Sequence, residues 1–455
     1  MRIPLTPPLL EDVLRIEGAA NEPVVYSVLA QARVGPEDAK GRYLHWDKFR
    51  HLVPPVGMSP DLYWLAVRNS RTAISTNTPF LDVSGQSLSF GVPNSVLGLV
   101  SWIDREAAMQ VGNVSPLGSA KDSYLITSQI EESITSSQLE GAATTRRVAD
   151  DMIRSGRKPR DLSETMIYNH HSALVFIKGM KDLPLTPSMI FELHKILTKG
   201  TFEEVDVDKA GVFRAPEDNI CVHSGDEIVH TPPRANELAE RLRLVCDFAN
   251  SADEINEAGF IPPVIRAIIV HFMIGYDHPF VDGNGRTARM LFYFVMEKAG
   301  YPLMAYASIS RVIKKAPGQY MQAYLESETD GGDLTYFIIH QLKAIKESVK
   351  DLKLYLDVKA SNQVEIIEML KNAGIDGKFN FRQVQLLEHA RNNPGQEYTI
   401  QGHQASHGIT HQTARSDLNG VSEKYKILTK TKDKRSHIFI APANIELSIS
   451  LISRP

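Results

Sequence analysis

A mainly α-helical protein is predicted by three observations. Long stretches of the central chain carry apolar residues at three- and four-residue spacing. Strand signals are confined to a few short runs, and threonines or prolines that open helices recur ahead of the periodic segments. The 455 residues suffice for two to four domains, each able to bury a core. Hydrophobic residues at 43 % and charged residues at 23 %, with 29 Gly and 25 Pro, exclude a collagen-like, disordered or coiled-coil chain. Fifty Lys and Arg against 54 Asp and Glu leave a net charge of −4, so no global electrostatic case for nucleic acid exists.

Residues 1–120 are rich in Pro, Ser and Gly around Val53–Pro60 and Ser70–Ser95, with helical patches such as Asp61–Arg71. Helical periodicity then predicts Ser123–Gln138, Arg160–Lys178, Pro187–Lys199, Arg234–Ser251, Pro262–Tyr276, Gly285–Ala299 and Leu334–Leu354. Thr186 before Pro187 is an N-cap followed by proline at the first helical position, and Pro262-Pro263 opens a helix in a similar way. Between these helices, Ile220–His230 reads as a hairpin around Ser224-Gly225-Asp226. The tail predicts helices at Phe381–Ala390, Tyr398–Ser406 and Thr410–Leu418, the last capped by Thr410. A ribbon of Lys426–Lys430 and His437–Ile440 follows around the basic turn Lys432–Arg435, an order that suggests a winged helix.

Two cysteines, Cys221 and Cys246, supply neither a disulfide framework nor a Cys-only zinc site, and fit a reducing compartment. The N-terminus carries prolines and acids where a signal peptide needs a cationic start and an apolar run. The most apolar helical stretch, Val264–Tyr276, is short and contains Arg266 and His271, which argues against a membrane span. A soluble, cytoplasmic protein is expected.

The densest chemistry lies in His278-Pro279-Phe280-Val281-Asp282-Gly283-Asn284-Gly285-Arg286-Thr287-Ala288-Arg289, between two predicted helices. Pro279 ends the upstream helix, while Gly283 and Gly285 allow a tight turn and close backbone approach to a ligand. The next helix starts near Gly285, so its unpaired amides and positive dipole end favour an anion. Arg286 and Arg289, three apart, offer two guanidinium forks for phosphate oxygens. Asp282 is a hard oxygen ligand beside them, which suits Mg²⁺ because that ion is held by few carboxylates plus the nucleotide. His278 can take a proton from a hydroxyl at neutral pH. The Walker-type phosphate loop is absent.

This string resembles the Fic family signature HPFx[DE]GNGRxxR at every defined position. Three further segments are similar to family elements. Gly211-Val212-Phe213-Arg214 resembles the G-x-[FY]-R element, and Ile220–His230 with Thr231-Pro232-Pro233 resembles the flap that aligns a target segment by strand addition. Its docking residues would be Val222, His223, Ile228 and Val229. Ser136-Ser137-Gln138-Leu139-Glu140-Gly141 resembles the inhibitory motif [ST]xxxE[GN], with Ser136, Glu140 and Gly141 at its defined positions. In relatives that glutamate pairs with the second motif arginine, here Arg289, so two anions compete for one guanidinium. His271 reads as a packed structural histidine, and Tyr320 and Tyr324 resemble a downstream aromatic segment whose four-residue spacing fits core equally well.

The resemblance implies an all-helical Fic core with a small β-hairpin flap, an N-terminal helical region and a C-terminal winged helix. Domains are expected at 1–120, 121–185 (inhibitory segment), 186–355 (catalytic core) and 375–455. The implied reaction is transfer of AMP from ATP to a Ser, Thr or Tyr hydroxyl of a target protein, and of the protein itself, autoinhibited by Glu140. His278 would be the base, Asp282 the Mg²⁺ ligand, and Gly283, Asn284, Gly285, Arg286 and Arg289 the nucleotide-binding set. Phe280 would anchor the loop in the core. Removal of AMP at the same site is an alternative. Another is a nucleotide-sensing DNA-binding regulator, with Arg415, Lys432, Lys434 and Arg435 on the phosphate backbone. A homodimer is a further expectation.

Overall fold

The computed structural model describes residues 2–17, 23, 25–26, 33–108, 121–251, 260–433 and 436–452. The chain is mainly α-helical, with short strands only, as the periodicity predicts. It divides into two compact units, one of Met1–Ala108, Ser172–Ala305 and Ile309–Ser348, the other of Met109–His171, Tyr306–Ser308 and Val349–Pro455.

In the first unit, Ser59 caps the helix Pro60–Thr72 by accepting from the Leu62 N–H at 3.2 Å, with proline at the first helical position. Trp46, Phe49, Trp64 and Val67 form a small aromatic core beneath it. Arg71 is buried there, lies 3.6 Å from the Tyr43 ring centre and donates to the Tyr336 hydroxyl at 2.6 Å. A hairpin of Ser75–Leu81 and Ser87–Gly91 follows, which the sequence reading did not anticipate. Its first strand, STNTPFL, is polar and holds a proline, so it carries little intrinsic strand signal. Pairing outside the hairpin supports it: Ser89 donates to the Gly332 carbonyl at 3.1 Å and accepts from the Leu334 N–H at 2.8 Å.

The centre of this unit is the packed pair Pro263–Asp277 and Asn284–Lys298, here termed the scaffold and motif helices. From Val264 to Ile274 every scaffold residue is buried, including Arg266 and His271. The stretch is apolar all round because neighbouring helices enclose it. No helix among the described residues is long and apolar enough to cross a membrane. His271 lies in the core with its Nε2 2.9 Å from the Tyr320 hydroxyl. Tyr324 is buried too, stacked on Phe272 and seated against Gly275, where a Cβ would come within 2.4 Å of its hydroxyl. The core reading of Tyr324 therefore holds. The helix predicted at Leu334–Leu354 runs over Thr335–Asn372, since no Gly or Pro interrupts it before Gly374.

In the second unit, Lys121–Leu139 is followed by an unanticipated helix, Arg146–Ser155, capped by Thr145 and ended at Gly156 in the left-handed region. Ile130, Ile134, Ala149, Met152 and Ile167 form their common core. The C-terminal part runs helix Phe381–Asn392, strand Glu397–Thr399, helices Ile400–His407 and His411–Asn419, then strands Thr429–Asp433 and Ser436–Ile440 and the helix Ile445–Ser450. Ser436–Ile440 is the central strand of the antiparallel sheet, with the other two on either side. The helix expected from Tyr398 begins at Ile400, because Thr399 Oγ1 accepts from the Gly402 N–H while Glu397–Thr399 pairs with the sheet. Thr410 caps the following helix as expected.

Candidate functional site

The scaffold helix ends at His278, which adopts φ 45°, ψ 57°. This left-handed conformation is uncommon for a non-glycine residue and turns the chain away from the helix axis. Its Nδ1 lies 3.2 Å from the Gly275 carbonyl, which can only accept, so Nδ1 carries the proton and Nε2 is the basic nitrogen. Phe280 is fully buried beyond the turn and anchors the loop, as expected. Its backbone is clamped by the Asn284 side chain, which accepts from the Phe280 N–H at 2.9 Å and donates to the Phe280 carbonyl at 2.8 Å.

Gly283, at φ 82°, caps the motif helix, and its carbonyl accepts both the Thr287 N–H and hydroxyl at 2.9 Å. A Cβ there would lie 2.9 Å from Thr198 Cγ2, so only glycine lets the loop approach the helix Pro187–Thr198 this closely. Asn284 opens the motif helix and is buried, whereas Gly285 is half-buried.

Arg286 is 1 % exposed, donating to the Leu197 carbonyl at 3.1 Å and to Asp282 Oδ2 at 3.0 Å. Its buried Nε has no hydrogen-bond partner among the described residues. A buried guanidinium with an unanswered N–H at a helix start carries surplus positive potential. Arg289, one turn on, is also buried. The Asp282 carboxylate is 57 % exposed. No group of three or more His, Cys, Asp or Glu able to hold a metal occurs among the described residues. A lone exposed carboxylate beside an anion-directed helix start nonetheless fits Mg²⁺, which takes most of its ligands from phosphate and water.

Two residues that hold this loop were not anticipated in these roles. Arg214 donates through Nε to the His278 carbonyl at 2.8 Å and through its guanidinium to the Pro233 and Asp277 carbonyls, while its backbone N–H reaches the Pro279 carbonyl at 2.9 Å. His194, on the helix Pro187–Thr198, bridges the Gly211 N–H and the Asp282 carbonyl. Burial holds its imidazole down to about 4, so it is neutral near pH 7. Asp277 is buried and pushed up to about 6 by that burial, despite its 2.7 Å bond from Arg241. The G-x-F-R spacing marked Arg214 only by resemblance, and His194 sits in an ordinary helical pattern, so no local signal assigns either its partners.

The hairpin predicted around Ser224-Gly225-Asp226 forms from Val222–Ser224 and Glu227–His230. His223 and Ile228 are exposed, Val222 is half-buried, and Val229 turns inward. His230 anchors the end of this hairpin: Nε2 bonds the Tyr276 carbonyl and Nδ1 bonds Glu328, each at 2.7 Å. Burial opposes the charged ring, but the hydrogen bond and charge of Glu328 outweigh it, with Asp277 adding to them, and the pKa is raised. The pair therefore contributes stability that is fully present below the ordinary histidine value of 6.5 and is lost as pH rises through the higher folded value. The melting temperature should exceed that of His230→Gln by several degrees at pH 6 and by much less at pH 8.5. Equal differences at both pH values would refute this.

In the second unit, Ser136 is buried one turn before the end of Lys121–Leu139. Glu140 follows the helix, exposed, with its N–H on the Ser137 carbonyl, and Gly141 at φ 94° turns the chain. Arg415 and Lys432 are exposed, while Lys430 is engaged by Asn419 and Glu423. Lys434 and Arg435 lie outside the described residues.

Residues 184–296, which include the whole of this loop, match the model of the Fic/DOC family. Protein adenylyltransferase Fic of Drosophila virilis is 27 % identical over 195 residues, 43 % of this chain and 35 % of that protein. The Drosophila willistoni protein of the same name is 32 % identical over 123 residues, 27 % of this chain and 22 % of that protein. The chain thus spans little more than a third of the length of these curated relatives at most. A Fic family protein from Desulfovibrio desulfuricans is similar in structure over 77 % of this chain and 97 % of its own, at 17 % identity and a TM-score of 0.49. A Fic domain containing signaling protein from Bacteroides thetaiotaomicron is similar over 57 % of this chain and 97 % of its own, at 20 % identity and a TM-score of 0.46.

Proposed function

We propose that this chain, with its Fic-type segment at the centre, transfers AMP from ATP to a hydroxyl side chain of a protein. The observation that carries this reading is the motif-helix start, where buried Arg286 with an unanswered N–H stands beside exposed Asp282, adjoining His278 with Nε2 as its basic nitrogen. His278 takes the hydroxyl proton at Nε2. The hydroxyl oxygen bonds to the α-phosphorus as the bond from that phosphorus to the pyrophosphate oxygen breaks, and pyrophosphate leaves with the electron pair. Such a displacement needs positioning and charge stabilisation rather than a covalent intermediate. Backbone amides at Gly283 to Gly285 and Asn284 hold α- and β-oxygens, Arg286 the β-phosphate and Arg289 the γ-phosphate. Asp282 would hold Mg²⁺, which when bound neutralises phosphate charge. Val222, His223, Ile228 and Val229 would align the target by strand addition.

Autoinhibition by Glu140 is part of the proposal and rests on the motif Ser136 to Gly141. Incubation with α-labelled ATP and Mg²⁺ tests both. Glu140→Gly should raise labelling of the protein itself and of lysate proteins at least tenfold, and adding His278→Ala should erase it. Binding of ATP with no labelling by any form would overturn transfer, and equal labelling of wild type and Glu140→Gly would overturn autoinhibition alone. In the C-terminal part, the order of three helices and an antiparallel ribbon supports a winged-helix reading, with exposed Arg415 and Lys432 as its candidate DNA contacts.

A further inference from the structure

Resting on the adenylyl-transfer reading, we propose that His194 is a positioning residue that sets the Asp282–Gly283 peptide plane and so presents the Gly283 N–H to the nucleotide phosphates. The ring is fully buried on the helix Pro187–Thr198. Its Nδ1 is 2.8 Å from the Gly211 N–H, which can only donate, so Nδ1 accepts. The ring proton therefore sits on Nε2, which donates to the Asp282 carbonyl at 2.7 Å. Each polar atom of the imidazole has one partner, and one neutral tautomer satisfies both.

The consequence follows from the planarity of the peptide. In a trans peptide the C=O and the next N–H lie in one rigid plane and point in opposite directions within it. Pinning the Asp282 oxygen to His194 directs the Gly283 N–H away from the helix Pro187–Thr198. A rotated plane would reverse this, turning a carbonyl oxygen toward an approaching anion. Two further observations make His194 the constraint on this plane. Its ring stacks on Phe280 at 3.8 Å and 13°, which fixes the height of the loop above it. A Cβ on Gly283 would lie 3.2 Å from His194 Nε2, so the backbone approaches the ring as closely as glycine permits. The same ring ties the loop to Gly211, three residues before Arg214, which holds the carbonyls of His278 and Pro279. His194 touches no reacting atom; it acts through the Asp282–Gly283 peptide.

The test uses the full chain in a Glu140→Gly background. His194→Phe keeps an aromatic ring on Phe280 and removes both hydrogen bonds, whereas His194→Gln retains an amide able to donate to the Asp282 oxygen. Affinity for Mg·ATP by calorimetry should fall about 10- to 100-fold in His194→Phe, by analogy with residues that orient the ligands of bound metal ions, and recover most of that in His194→Gln. The melting temperature without nucleotide should change by no more than a few degrees in either. Should His194→Phe fail to fold, the ¹⁵N shifts of the His194 ring in the unsubstituted protein decide the matter: the Nε2–H tautomer is expected, and the Nδ1–H tautomer overturns the proposal. His194→Phe binding within twofold of its parent, where the parent both binds and transfers, sinks the positioning role alone. A parent that binds Mg·ATP without transferring sinks transfer but leaves the affinity comparison valid, and a parent that does not bind sinks both.

Discussion

With His278 as the base of the proposed AMP transfer, His278→Ala should lower that transfer by roughly 10²- to 10⁴-fold, the usual contribution of a positioned general base, while leaving Mg·ATP affinity within about twofold. The Nδ1 bond to the Gly275 carbonyl orients the ring, while the loop on either side is secured by the Arg214 and Asn284 side chains, so the loop keeps its anchors when the ring is removed. Because the residue sits at φ 45°, which asparagine and histidine adopt more readily than alanine, the alanine variant adds mild backbone strain to the loss of the base. His278→Asn separates the two effects, since asparagine tolerates the left-handed region and can donate to Gly275 but cannot take the proton. Both variants should be equally inactive. An active His278→Asn would show that the residue shapes the turn and that the base lies elsewhere.

Arg214→Met should destabilise the first unit by about 3 to 5 kcal/mol, because each buried carbonyl left without a donor costs about 1 to 3 kcal/mol. The side chain is buried and answers the carbonyls of His278, Pro233 and Asp277, so its removal strands polar groups on both the motif loop and the segment that follows the hairpin. Arg214→Lys keeps the charge but loses the planar fork, and should recover only part of the loss. Urea unfolding followed by tryptophan fluorescence reads this unit, since Trp46, Trp64 and Trp102 all lie in it. A midpoint shift equivalent to less than about 1 kcal/mol would mean that water replaces the guanidinium at little cost. Transfer should fall with stability, because the same carbonyls orient His278.

Much of the first unit's centre was legible because it obeys local rules. Thr186-Pro187 opens its helix, Gly225-Asp226 turns the hairpin, and the scaffold and motif helices begin and end within a residue or two of the expected positions. The hairpin Ser75–Gly91 and the helix Arg146–Ser155 share one feature, a weak local signal completed by contacts distant in sequence. The hairpin has weak propensity and is supported by backbone pairing with Gly332 and Leu334. The helix is short and highly charged, RRVADDMIRS, and its few apolar residues take meaning only from the Ile130 and Ile134 side chains they meet.

By itself the sequence determined the mainly helical class and the turn from His278 into the helix that carries Arg286 and Arg289, since a proline stop, glycine turns and arginines at helical spacing act over a few residues. Only the tertiary structure decided which groups hold that loop in shape. Arg214 reaches His278 across 64 residues, His194 reaches Asp282 across 88, and His230 reaches Glu328 across 98. Each is a polar group that must find a partner once burial removes water, and the partner is chosen by where the folded chain brings an acceptor or donor within 3 Å.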